Sequence, residues 1–156
     1  MAHLRTLGLL LLPLLISTPA WAGPEGLGHW QGAGTSYAPD GTELGDFTVD
    51  LERSAIDDHT VEVRGQVTLA SGQVVSFNER QIMNSHGGYL TESHRGKGRG
   101  RCFAEDFCQE YQELGDDKAR ATTIVIDGPG KIRVLITELD HGRAMRFIRQ
   151  ALTRKQ

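Results

Sequence analysis

The chain has 156 residues, enough for one domain with its own core, and 38% of them are hydrophobic. Lys and Arg number 17 against 20 Asp and Glu, a net charge of −3. That balance argues against a broadly basic nucleic-acid binder and against a polybasic membrane-surface protein.

The first 22 residues read as a targeting segment. Arg5 precedes the apolar run Leu7–Ile16, and Ala20-Trp21-Ala22 supplies an A-x-A cleavage site. The run is too short for a membrane-spanning helix, and Pro13 interrupts it. The sequence therefore predicts a signal peptide over 1–22, one domain over 23–156, and export to a periplasm or the exterior.

After a Gly/Pro lead-in, Gly28-His29-Trp30 opens a first strand that ends before Pro39, and Asp40-Gly41 is a hairpin turn signal. Phe47, Val49 and Leu51 then alternate with Asp46, Thr48 and Asp50. Val61, Val63, Val67 and Leu69 share one parity, with Gly65 in register, and Ser71-Gly72 turns into Gln73–Met83. A period of two over such lengths is the mark of half-buried antiparallel strands. A shorter run follows, Tyr89 to His94, and then Arg95, Lys97, Arg99 and Arg101 alternate with Gly96, Gly98 and Gly100. Cys102 and Cys108 come next. In an exported protein a pair so close is most simply a disulfide, here across a hairpin with Phe103 opposite Phe107. Two further runs are broken by Gly128-Pro129-Gly130 and by Asp140-His141-Gly142. Residues 143–154 fit a strand through Met145, Phe147 and Ala151, or a helix through Met145, Ile148 and Leu152; the strand is preferred because a tight turn precedes it. Eight to ten strands joined by short turns predict an all-β, antiparallel up-and-down barrel.

Gly28-His29-Trp30 followed by meandering hairpins resembles the lipocalin and fatty-acid-binding-protein superfamily, the calycins, and its small exported bacterial members. The resemblance implies that Trp30 closes the bottom of the barrel and packs beneath a basic residue from a late strand, either Arg146 or Arg149.

A barrel of this size can hold a ligand in its mouth. Phe77, Glu79, Gln81 and Met83 share a face and are interior candidates, as are Tyr89 and Tyr111. His94, Arg95, Lys97, Arg99 and Arg101 form the sharpest charge cluster, a candidate anion site or a solvated loop. The histidines His29, His59, His86, His94 and His141 show no metal-ligand spacing, so neither metal nor cofactor is expected. No G-x-S-x-G occurs. The leading expectation is an exported binding protein for a small apolar or amphipathic ligand, whose anionic head, where it has one, meets the Arg95–Arg101 cluster. An interaction or inhibitor module working through loops on a filled barrel is the alternative. A barrel isomerase or cyclase using Glu79 or a histidine is the third. Oligomeric state is left open.

Overall fold

The computed structural model describes residues 26–104 and 106–155. The signal-peptide reading of 1–22 lies outside the described residues. Ten antiparallel strands follow one another: β1 (Gly28–Tyr37), β2 (Glu43–Ala55), β3 (Thr60–Leu69), β4 (Val74–Met83), β5 (Gly88–Ser93), β6 (Gly96–Ala104), β7 (Phe107–Gly115), β8 (Lys118–Gly128), β9 (Lys131–Asp140) and β10 (Arg143–Arg154). Each pairs with the next, and β10 pairs back onto β1, so the sheet is a closed barrel. Closure removes the exposed strand edges that an open sheet would present. No helix among the described residues is long and apolar enough to cross a membrane.

The turns follow the backbone chemistry of their residues. Asp116 and Asp117 both take positive φ, 50° and 57°, and His141-Gly142 takes 50° and 73°. Two consecutive left-handed residues make the tight hairpin turn whose twist matches the flanking strands, and Asp and Gly tolerate that region best.

The alternation seen in β2, β3 and β9 places Val49, Leu51, Val61, Val63, Ile132 and Val134 in the core. Trp30 is 2% exposed, and its Nε1 donates to the Gly26 carbonyl at 3.2 Å. Its cross-strand partner on β10 is Arg154, whose guanidinium lies against Gly28, 3.0 Å from where a Cβ would be. The late-strand cation beside Trp30 is thus neither Arg146 nor Arg149. Arg146 is occupied by Glu138 at 2.6 Å, and Arg149 pairs with Thr35 on the solvent side.

Three local expectations change. Residues 143–154 are a strand, but Met145 and Phe147 are exposed, while Ile148, Gln150 and Leu152 turn inward. A bulge between Ala144 and Arg146 and the pairing of Leu152 with both Gly32 and Ile132 choose that face. The Arg/Gly segment is not a loop: 96–104 is strand β6. At the cysteine hairpin Ala104, not Phe103, pairs with Phe107, because the register slips between Cys102 and Ala104. The rings of Phe103 and Phe107 still lie 6.1 Å apart.

Cys102 and Cys108 are cross-strand partners with sulfurs 2.02 Å apart, and both are buried. Replacing both by Ser is expected to cost about 2–3 kcal/mol, because a short closed loop is released in the unfolded chain. Denaturant midpoints of the variant and of wild type, each with and without reductant, check this: reductant should shift wild type alone.

Candidate functional site

The interior is divided lengthwise. From β8 round through β10 to β3 the inward residues are mostly apolar, among them Val49, Leu51, Val63, Ile124, Val134 and Leu152, with Arg53, Thr122 and Gln150 as polar exceptions. From β4 to β8 they are mostly polar: Glu79 and Gln81, Thr91 and Ser93, Glu110 and Gln112, then Arg120, with Phe77 and the cystine among them. Both walls face a cavity of about 170 Å³. The barrel is therefore not filled.

Strand β6 makes the polar wall possible. Its glycines face inward and its cations outward. At Gly100 a Cβ would stand 2.2 Å from Cζ of Tyr89, so the buried Tyr89 ring occupies the space a side chain would need. At Gly98 a Cβ would lie 3.0 Å from that of Gln112.

Arg120 joins the polar strands. Its Nη2 donates to Glu79 Oε1 at 2.9 Å and to Gln112 Oε1 at 2.7 Å, while Gln112 Nε2 donates to Ser93 Oγ at 3.1 Å. Arg53, 1% exposed at the far end of β2, faces Tyr89, Glu110 and Glu79 from below. Burial pushes its pKa down to about 10, while those three neighbours favour the cation. Burial raises the Tyr89 phenol well above its ordinary value. Glu110 is also raised, by burial first and then by the Glu79 carboxylate. The Arg120 guanidinium first, and then the Thr91 and Tyr89 hydroxyls that face the Glu110 carboxyl, partly offset that shift. Gln81 Oε1 and Arg120 Nε are buried and make no protein hydrogen bond, while the buried Tyr89 and Thr91 hydroxyls have the Glu110 carboxyl as their neighbour. Leaving such an atom unpaired costs about 1–3 kcal/mol, so Gln81 Oε1 and Arg120 Nε are open to a water or a ligand.

The raised Glu110 has a pH signature. A carboxyl whose folded pKa lies above its unfolded value makes the fold lose stability as pH rises through that interval. Above the ordinary glutamate value of 4.5 the unfolded chain releases its proton first. Glu110→Gln is expected to melt higher than wild type at neutral pH, and the gap should close as pH falls towards 4.5. Melting temperatures of both proteins across that range check the sign.

Of the sequence candidates, Phe77, Glu79 and Gln81 line the cavity. Met83 packs on the core at the lower end, and Tyr89 is buried behind the polar wall. Tyr111 is corrected: it is 47% exposed on the outer face, because Glu110 and Gln112 take the inward positions beside it. The cation cluster does not converge. Lys97, Arg99 and Arg101 point outward from β6; Lys97 meets Glu92 at 3.3 Å, and Arg101 lies over the Phe103 ring. His94 is exposed in the turn before β6, and Arg95 alone of the five reaches the cavity, at its rim. Among the described residues no histidine lines the cavity; His29 is bound to Asp50 at 2.6 Å on the outer face. The sequence reading missed Arg53, Thr91, Glu110, Gln112 and Arg120.

A larger depression of about 710 Å³ runs along β1, β2 and β10, but its charged residues Asp46, Arg133 and Arg149 are solvated. The buried unpartnered groups belong to the barrel interior instead.

No protein-family profile matches the chain, and no curated protein matches it. Solved structures do. The fold is similar to that of Rv2717c from M. tuberculosis, with a TM-score of 0.68 at 14% identity, over 90% of this chain and 99% of that one. It is similar to the S-type phycobiliprotein lyase CPES from Guillardia theta, with a TM-score of 0.67 at 11% identity, over 85% and 89% of the two chains. It is also similar to EF1p2_mFAP2b bound to DFHBI, with a TM-score of 0.50 at 12% identity, over 88% and 99%. At these identities the likeness shows the antiparallel barrel fold.

Proposed function

We propose that this protein is an exported, lipocalin-like barrel that holds one small amphipathic molecule inside. The observation that carries the reading is the divided interior: a mostly apolar wall facing a mostly polar wall across about 170 Å³, with Gln81 Oε1 and Arg120 Nε buried without protein partners on the polar side. Such a pocket, mostly apolar with a few fixed polar groups, is the usual form of a small-molecule site. The similar barrels include one solved with DFHBI bound and one named as a phycobiliprotein lyase, which supports a small-ligand reading for this barrel. Export is supported by the signal-like residues 1–22 and by the disulfide. The isomerase or cyclase alternative through Glu79 or a histidine is less favoured, because Glu79 is paired with Arg120 at 2.9 Å and no histidine is among the described residues lining the cavity. A thermal-shift panel of small amphipaths tests the function. A ligand that binds only the folded state raises the melting temperature in a concentration-dependent way. A panel with no such rise, together with an unliganded protein from the native host, would refute the reading.

A further inference from the structure

We infer that the cavity is selective for a small monoanion on a single ring or short branched chain, with its anionic group at Arg120 and Arg95 and its body against Val63, Ile124 and Val134. This rests on the binding reading above and names its ligand class.

Size comes first. A cavity of about 150 Å³ lined by apolar side chains admits benzene, and this one is about 170 Å³. It has room for one ring with a small polar substituent, and not for a long acyl chain.

Charge comes second. The lining carries three guanidinium groups, Arg53, Arg95 and Arg120, and two carboxyls, Glu79 and Glu110. Glu79 is matched by Arg120 at 2.9 Å. Glu110 is biased towards its neutral acid by burial. The lining therefore leans positive, and a charge-assisted bond there is screened less than at the surface.

Hydrogen-bonding capacity comes third. Arg120 uses Nη2 on Glu79 and Gln112, and its buried Nε makes no protein hydrogen bond. Arg95 stands at the rim, where it can close over an anion without being desolvated beforehand. Gln81, 5% exposed, aims an unpartnered Oε1 at the same space. That atom calls for a donor, such as a hydroxyl on the ring.

Calorimetric titration of the full chain, freed of any bound molecule, with benzoate, benzamide and benzylamine tests the inference. Benzoate is expected to bind about tenfold or more tighter than benzamide, since one charge-assisted bond separates them, and benzylamine should be weakest. Arg95→Ala, a change in an exposed turn, should weaken benzoate several-fold and leave benzamide unchanged. Equal binding of all three would overturn the anion preference while leaving the binding function intact. Absence of binding by all three would overturn this ligand class; a larger molecule extracted from the native protein would then still uphold the function.

Discussion

Arg120→Met is expected to destabilise the barrel by about 2–4 kcal/mol, somewhat below the range for fully buried pairs because both partners keep some solvent. The Arg120 and Glu79 side chains are only 20% and 15% exposed. The substitution strands the Glu79 carboxylate and the Gln112 carbonyl, both of which now accept from Nη2. Removing one partner of such a pair is far costlier than removing both, because an unmatched charge stays behind. Adding Glu79→Gln should therefore recover most of the loss. Denaturant unfolding of the two single variants and the double variant gives the coupling directly. Additive effects would mean that the two side chains do not meet inside the barrel.

Gly32→Ala is expected to cost about 3 kcal/mol or more, at the upper end of overpacking penalties. The reason lies at the seam where β1 meets β10. A Cβ at Gly32 would fall 1.8 Å from the Ala151 carbonyl oxygen and 2.8 Å from Leu152 Cδ2. The first of these is backbone, so relief requires the two strands to part. Ala33→Ser, one residue on and lining the outer depression, should stay within about 0.5 kcal/mol of wild type. Urea unfolding of both variants decides it. A Gly32→Ala protein as stable as wild type would mean that β1 does not seat on β10 in this register.

The barrel was legible because period-two alternation and turn residues are local signals. Val61-Val63-Gly65-Val67 and Ser71-Gly72 specify a hairpin with no knowledge of the rest of the chain. Even Gly65 has a legible role: a Cβ there would strike the Phe77 ring of its cross-strand partner at 2.6 Å.

The site was less legible because it depends on which parity faces inward. In β10 both faces mix apolar and polar residues, so only pairing with β1 and β9 could choose. In β6 the conspicuous cations drew attention, yet the chemistry follows from the bare glycines opposite them. One signal in the sequence would have corrected β7. A disulfide is normally an inward feature, and from Cys108 that parity runs on through Glu110 and Gln112 and leaves Tyr111 outside. The same extension of Val49 and Leu51 reaches Arg53. Glu79 and Gln81, in line with Phe77, were legible as interior candidates, and the same parity argument extends to Arg53, Glu110 and Gln112.

The most direct test of the account is native mass spectrometry of protein purified from its own host without denaturation. A mass excess corresponding to one small molecule per chain is expected, lost on unfolding and diminished in Arg120→Met,Glu79→Gln. A bare chain mass, with no increase after incubation with small amphipathic acids, alcohols and amides, would contradict it.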